Sequence, residues 1–488
     1  MTDGAADLVV FAPAGAVRGT RKDGVSRFLG IPYGAPPVGD RRWRPPEPAA
    51  KWQDVRDATQ FAPDAMQRNR PAGSRAPSVS EDCLTLNIWA PAAKAPPRAV
   101  MVWFYGGSFI HGSAADVRSD GTVFAREDVV FVSVTSRTGI FGWLAHPDLA
   151  AESPEGAAGN YGLLDAILAL RWIKANIAAF GGDPDRVTVF GVSSGGASIA
   201  LLMTSPLAVG AFDQVILQSA GSFRPLATLA QATDAGAALG SLADLRALPA
   251  DQVLALEPRL VPAVRGLTTP RVLRPVIDGW VVPQDERAAY RAGAFAAVPA
   301  IVGSNADEGS RLTASWPVDD LAGWNATLDA NFPADRDRAA ALYPAARDDE
   351  ARGAVAQMFG DSQFQLGTRE LARALLARGV PVFRYLFTRR RAGTSDGPHH
   401  GGEVPYVFGH LDEPPAGNAP AAGERDVALA RSFVVAWTNF AKTGQPGSID
   451  GVDWPSAETG FLELGDQTCV GHAWRDAQLD FLNDYADR

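Results

Sequence analysis

Short runs of β-branched and aromatic residues alternate along the chain with longer segments in which apolar residues recur at helical spacing. The short runs are almost continuously apolar, which is typical of strands that are buried on both faces of a sheet. Helices are predicted over 162–176 and 195–203. The predicted strands are residues 100–105, 129–134, 187–190, 215–218, 300–302 and 380–387. This alternation predicts an α/β protein with a large, mostly parallel central sheet covered by helices.

Two segments have the composition of exposed loops. Residues 68–80 are rich in Arg, Pro and Ser, and residues 414–423 are rich in Pro, Ala and Gly. Neither segment separates two regions of different composition, and no internal repeat is visible. We therefore expect residues 1–488 to form a single domain with surface loops.

The charge balance indicates which kinds of binding partner to expect. The chain has 45 basic and 55 acidic residues and a formal net charge of -10, so no general attraction to nucleic acid or to anionic lipid is expected. A small, neutral or weakly polar partner fits better. No apolar stretch reaches the about 20 residues that a membrane span needs, and the first residues have acidic side chains where an export signal has basic ones. A cytoplasmic location is predicted, and the sequence does not indicate an oligomeric state.

The two cysteines, Cys83 and Cys469, are too few for a disulfide framework and too far apart for a local metal or redox motif. Buried, reduced thiols are the favoured interpretation. There is no P-loop, no Rossmann glycine pattern and no zinc-binding spacing. We therefore expect neither a metal nor an organic cofactor.

A glycine-flanked serine lies between a predicted strand and a predicted helix. Gly191, Ser193 and Gly195 form the pattern G-x-S-x-G. The pattern alone is weak evidence in a chain with 49 glycines, but a strand before it and a helix after it are what a nucleophile elbow requires. The glycines permit a sharp turn, and the N-terminus of the helix favours developing negative charge. Ser193 is therefore the candidate nucleophile.

The segment FGGDPDRVTVFGVSSGG, residues 180–196, resembles the signature around the catalytic serine of the type-B carboxylesterase and cholinesterase family. EDCLTLNIWAP, residues 81–91, resembles a second signature of that family, and weaker similarity extends over nearly the whole chain. The resemblance, to bacterial carboxylesterases of the para-nitrobenzyl-esterase kind, implies an α/β-hydrolase fold with loop and helical insertions around an active-site gorge. It also implies a serine carboxylesterase that cleaves a small-molecule ester through an acyl-enzyme.

FYGGSF, residues 104–109, follows a predicted strand and offers consecutive backbone N–H groups. By itself it could be an ordinary strand-ending turn. The resemblance implies an oxyanion hole in which Gly107, Ser108 and Ser194 donate backbone N–H groups. Ser108 stands where the family usually has glycine, so we expect its side chain to narrow the site.

The general base must be one of six histidines, and in α/β-hydrolases it follows the acid, which follows the serine. The segment PHHGGEVPYVFGH comes after the predicted strand 380–387 and resembles the family's pattern H-x-x-E-x-P. Counting back from Glu403 and Pro405 selects His400. His399 is the adjacent alternative, because neighbouring side chains on an extended segment point to opposite sides.

The carboxylate that orients the histidine is expected in AIVGSNADEGS, which follows the predicted strand 300–302. From the residues alone, Asp307 and Glu308 are nearly equal candidates. The resemblance assigns the role to Glu308 and leaves Asp307 to face solvent or to cap the turn. The predicted triad is Ser193, Glu308 and His400.

Besides Ser108, the chain departs from the family pattern in two places. Val192 replaces a glutamate that supports the site, and Ala65 stands where the family has the disulfide partner of Cys83, which leaves Cys83 unpaired. The arginines at 389–391 could attract an anionic substrate, but such a charge run is usually solvated surface. Pocket walls are expected from 68–80, from the region around Trp280 and from 316–324.

Two other function classes are compatible with this fold. A non-catalytic adhesion protein of this fold would lack the serine or the histidine, and this chain has both. An amidase or a transacylase would use the same triad and stays open.

Overall fold

The structure is a computed structural model that describes residues 8–93, 95–261, 267, 270–391, 398–411 and 421–487. Most of the predicted loop 414–423 lies outside the described residues.

A thirteen-stranded sheet runs through the described part of the chain. Its strands, in chain order, are β1 Leu8–Ala12, β2 Gly15–Lys22, β3 Val25–Pro32, β4 Arg56–Asp57, β5 Thr85–Pro91, β6 Arg98–Phe104, β7 Val130–Val134, β8 Gly182–Val192, β9 Gln214–Gln218, β10 Ala300–Asn305, β11 Val382–Phe387, β12 Phe461–Leu464 and β13 Thr468–Gly471. Their spatial order is β1-β2-β3-β5-β7-β6-β8-β9-β10-β11-β12-β13, and β4 pairs with β2.

The middle of the sheet is parallel from β7 through β6, β8, β9, β10 and β11 to β12. The strands β1, β2, β3 and β5 on one side, and β13 on the other, pair antiparallel. All six predicted strands are present, most of them longer than predicted. The predicted mostly parallel α/β sheet is confirmed. The flanking antiparallel strands were not predicted, since strands such as β2 mix buried and exposed positions and give no continuous apolar run.

Sixteen α-helices are assigned in the described residues, and the two predicted ones are α4 and α5. The helices are α1 Thr122–Arg126, α2 Gly139–Trp143, α3 Pro147–Glu152, α4 Tyr161–Asn176, α5 Ser194–Thr204, α6 Leu229–Ala237, α7 Leu242–Ala247, α8 Ala250–Leu254, α9 Glu286–Arg291, α10 Leu321–Asn331, α11 Arg336–Leu342, α12 Asp348–Gly360, α13 Leu366–Ala377, α14 Val404–Val407, α15 Glu424–Thr443 and α16 Asp476–Ala486. None of these helices is long and apolar enough to cross a membrane.

The two faces of the sheet carry separate apolar cores because successive side chains of a strand point to opposite faces. On β6, Val100 and Val102 belong to the core that contains α4 and α5, while Met101 and Trp103 belong to the core that contains α15. A third core lies among α10, α11, α12 and α16. This helical region supplies aromatic residues to the candidate site described below.

Both cysteines are free thiols, as predicted, but only Cys83 is buried. Cys469 is exposed, and the expectation of burial is wrong for it. The reason is its place on β13, the last strand of the sheet, which has a partner strand only on one side.

Candidate active site

The candidate nucleophile occupies a sharp turn between β8 and α5. Ser193 has φ 55° and ψ -122°, an uncommon conformation for a residue with a side chain. Its N–H donates to the carbonyl of Gln218 at 2.9 Å. A Cβ atom at Gly191 would lie 2.6 Å from the carbonyl oxygen of Phe104, and one at Gly195 would lie 2.0 Å from the same oxygen. Both flanking glycines are therefore required for the turn to fit against β6.

Glu308 and His400 are in direct contact beyond the carboxyl ends of β10 and β11. Nδ1 of His400 lies 2.5 Å from Oε2 of Glu308. The other oxygen, Oε1, accepts hydrogen bonds from the Ser219 hydroxyl and from the Asn305 N–H, both at 2.6 Å. The carboxylate side chain is completely buried. Its buried charge is thus fully hydrogen-bonded, as a buried carboxylate requires.

The alternatives beside these two residues are engaged differently. Asp307 caps its own turn, because its Oδ1 accepts the N–H of Ser310 at 3.0 Å. His399 has its Nδ1 3.1 Å from the carbonyl oxygen of His400. The backbone of Asp307 pairs with that of His399 as an isolated bridge. The contact between Glu308 and His400 is therefore made by the two residues that the family pattern selected.

Glu403 connects the histidine loop to the sheet. Its Oε1 accepts from Nε2 of Gln218 at 3.1 Å, and its Oε2 accepts from Nδ2 of Asn305 at 2.6 Å. Burial, and then the nearby Glu308, raise the pKa of Glu403. In the sequence, Glu403 was only the reference position for counting back to His400. The pattern H-x-x-E was itself the signal for this supporting role.

The loop after β6 passes beside the serine. A Cβ atom at Gly106 would lie 3.1 Å from Cβ of Ser193. Gly107, Ser108 and Phe109 all have positive φ, at 138°, 56° and 68°. The Gly107 carbonyl accepts the N–H groups of Ile110 and His111 at 3.0 and 3.1 Å, which closes a tight turn.

This turn leaves backbone donors unused. The N–H groups of Gly107 and Ser108 have no acceptor among the described residues. Ser194 is the first residue of α5, where N–H groups have no partner within the helix. The other side of the loop is held by Gln67, which both donates to and accepts from Gly112, at 2.9 and 3.0 Å.

Aromatic rings lead from the surface to His400. The Phe364 ring lies 4.2 Å from the His400 ring, Phe359 lies 6.3 Å from Phe364, and Trp316 lies 5.5 Å from Phe359, measured between ring centroids. The predicted pocket segment 316–324 is thereby connected to the site through its first residue. Phe364 was not predicted, and it belongs to a π-helical turn, Asp361–Gln365, a feature frequent at functional sites.

The remaining expectations concern residues around this centre. Val192 is buried and belongs to the core that contains α15. Arg389 forms ion pairs with Asp426 and Asp466, so this member of the arginine run has carboxylate partners of its own. Trp280 packs on the core that contains α4 and α5.

A mixed, mostly parallel sheet with a serine elbow at the carboxyl end of a central strand defines the class of the α/β hydrolases. A family model described as the carboxylesterase family matches residues 6–482. The chain belongs to the carboxylesterase family and is a carboxylic-ester hydrolase.

Three relatives cover most of the chain. The fumonisin B1 esterase of Sphingopyxis macrogoltabida is 43% identical over 458 residues, which cover 92% of this chain and 85% of that protein. The para-nitrobenzyl esterase of Bacillus subtilis (strain 168) is 33% identical over 467 residues, 92% of each protein. The cocaine esterase of Homo sapiens is 30% identical over 504 residues, 94% of this chain and 87% of that protein.

Proposed function

We propose that this protein hydrolyses carboxylic esters through a covalent acyl-enzyme on Ser193, with His400 as general base and Glu308 as the acid that orients it. One observation carries the proposal. The 2.5 Å contact between His400 Nδ1 and Glu308 Oε2 lies at the same edge of the sheet as the Ser193 turn.

This contact supports a role for each of the two ring nitrogens. With Nδ1 donating to Glu308, Nε2 is the nitrogen that accepts the hydroxyl proton as Ser193 attacks the ester carbonyl. The carboxylate then stabilises the imidazolium that forms. Ser219 and Asn305 hold Oε1 of Glu308 and thereby turn Oε2 toward His400.

The tetrahedral intermediate needs donors for its oxyanion. The N–H groups of Gly107, Ser108 and Ser194 are proposed to supply them, and loss of one such donor typically lowers kcat by about 10²- to 10³-fold. The alcohol leaves with the proton held by His400. Water then attacks the acyl-enzyme by the same route and releases the acid.

The test is covalent labelling with an aryl phosphonate, followed by intact-mass measurement. The wild type should gain one adduct and lose hydrolysis of an aryl ester. Ser193→Ala should gain no adduct and show no burst of acylation. Ser194→Ala is the matched control, since it removes a neighbouring hydroxyl but keeps the backbone N–H, and it should still be labelled. Ester turnover by folded Ser193→Ala would overturn the proposal, and a matched amide substrate measures any amidase activity.

A further inference from the structure

A single aromatic ring separates His400 from an arginine that the mechanism above does not use. The guanidinium carbon of Arg224 lies 4.5 Å from the centre of the Phe364 ring. The same ring lies 4.2 Å from the ring of His400. The positive charge of Arg224 is therefore no farther from the candidate base than these two distances together.

The loop after β9 fixes this arginine in place. Nε and Nη2 of Arg224 both donate to the carbonyl of Gln363, at 3.0 and 2.8 Å. Gly221 has φ +60°, and a Cβ atom there would lie 2.2 Å from Nη2. The same loop carries Ser219, which holds Glu308. The guanidinium is thus positioned by the elements that position the candidate triad.

Arg224 has no ion-pair partner in the part of the chain that the structure describes. Its Nη1 makes no hydrogen bond with the described residues. Two buried arginines are compensated in this way: Arg137 and Arg42 pair with Asp165 and Glu81, each at 2.6 Å. Arg224 differs from them in keeping one edge of its guanidinium for another acceptor.

The electrostatic surroundings favour an anion at this edge. Burial, and then the charge of Arg271, lower the pKa of Arg224 to about 9. The nearby Glu286 and Glu308 act on the pKa of Arg224 in the opposite direction, but neither forms an ion pair with it in the described part of the chain. Glu308 contacts His400, and Oε2 of Glu286 accepts the N–H of Phe223 at 2.8 Å. A bound carboxylate would supply an ion-pair partner with two oxygens for the planar guanidinium.

We propose that Arg224 binds a carboxylate of the substrate, so that the ester cleaved carries a free carboxylate close to the scissile bond. This inference rests on the proposed function. It departs from the expectation of a neutral partner, which the net charge of -10 suggested, because a local cation can select an anion within an acidic protein. The carboxylate could belong to the acyl part, as in a half-ester of a dicarboxylic acid, or to the alcohol.

Matched pairs of alkyl esters test the proposal. Monoethyl glutarate and ethyl valerate differ by a carboxylate on the acyl side, and 4-butyryloxybutanoate and butyl butyrate differ by one on the alcohol side. The quantity measured is kcat/KM for the carboxylate ester divided by that for its neutral partner. We expect this ratio to exceed one for one of the two pairs in the wild type and to fall with rising ionic strength.

Arg224→Gln should lower that ratio by about 10- to 100-fold, mainly through KM, as the loss of a charged hydrogen-bonded contact predicts. Arg224→Lys should retain part of the preference, and it serves as the second variant if Arg224→Gln does not fold. Arg431→Gln removes the same charge from an exposed position on α15 and should leave the ratio unchanged.

The proposal would be overturned if the wild type had a higher kcat/KM for the neutral ester in both pairs. It would also be overturned if Arg224→Gln lowered kcat/KM equally for both members of a pair. Either result leaves the assignment of Ser193 as nucleophile unchanged, provided that Ser193→Ala is inactive on all four esters. If Ser193→Ala is active instead, the proposed function fails, and the two failures are thereby distinguished.

Discussion

Gly107 is the position in the candidate oxyanion loop where one added methyl group should lower the catalytic rate most. Its φ is +138°, and a Cβ atom there would lie 1.9 Å from the carbonyl oxygen of His111 and 2.7 Å from its carbonyl carbon. Both are backbone atoms, so no side-chain rotation relieves the contact. The turn is also closed by the hydrogen bond from the His111 N–H to the Gly107 carbonyl. Gly107→Ala must therefore open the loop.

The size of the effect follows from these distances. Real Cβ atoms essentially never approach a neighbour closer than 3.0 Å, so a contact of 1.9 Å requires a shift of about 1 Å. A displacement of that size at a catalytic group can lower the rate by about 10²-fold, and loss of one oxyanion donor costs about 10²- to 10³-fold. The positive φ adds backbone strain of about 1 to 3 kcal/mol. We expect kcat to fall by about 10²-fold or more, with a measurable loss of stability.

Gly240→Ala is the matched control. Gly240 has φ +131° and nothing within 4 Å of its added Cβ, so this variant has similar backbone strain without the clash. Stopped-flow measurement of the acylation burst with an aryl ester, together with urea denaturation, separates the two effects. Gly240→Ala should lose some stability but keep its burst rate. A Gly107→Ala enzyme with a wild-type burst would refute the assignment of this loop to the oxyanion.

Four further predictions concern the residues around the serine. His400→Ala should nearly abolish kcat while His399→Ala has a small effect, and equal losses would mean that the base is misassigned. Glu308→Gln should lower kcat far more than Asp307→Asn, because only Glu308 contacts the His400 ring, whereas Asp307 caps a turn; the reverse order would move the acid by one residue. Ser108→Gly should stabilise the protein by up to about 1 kcal/mol, because it relieves a side chain at φ 56°, and should raise the ratio of tertiary- to primary-alcohol ester hydrolysis; an unchanged ratio would show that this side chain does not narrow the site. Burial raises the pKa of Glu286 from 4.5 to about 7, so its neutral form stabilises the fold fully below pH 4.5, and this contribution is lost as pH rises through 7. Relative to Glu286→Gln, the free energy of unfolding of the wild type should fall by about 3 kcal/mol over that range, as measured by urea denaturation. Parallel pH profiles of the two proteins would show that burial of Glu286 is not the cause.

Local sterics made part of the site predictable from the sequence. A turn that carries Ser193 at positive φ against β6 has room only for glycine at 191 and 195. The G-x-S-x-G motif therefore follows directly from the backbone conformation of the turn. Strands buried on both faces must be apolar throughout, and these strands were found. The flanking strand β2 was not predicted, because its exposed positions carry polar residues and leave no continuous apolar run.

The assignment of the acid depended on more than local pattern. Asp307 and Glu308 are adjacent and chemically alike, and only the family resemblance separated them in the sequence. In the structure the two carboxylates point in different directions. The Asp307 carboxylate accepts the N–H of Ser310 in its own turn, while the Glu308 carboxylate contacts His400, which is 92 positions away in the sequence.

What the sequence determined by itself was the strand, turn and helix that present Ser193 and the order of the candidate residues along the chain. Only the tertiary structure decided that Ser219, Asn305 and Glu403 surround the candidate acid and base, and that the Phe364 ring lies between His400 and Arg224. The physical reason is that periodicity and glycine placement report on interactions within a few residues. The proposed role of Arg224 depends on groups that lie on separate elements of the sequence. The sheet and its helical insertions bring these groups together only on folding.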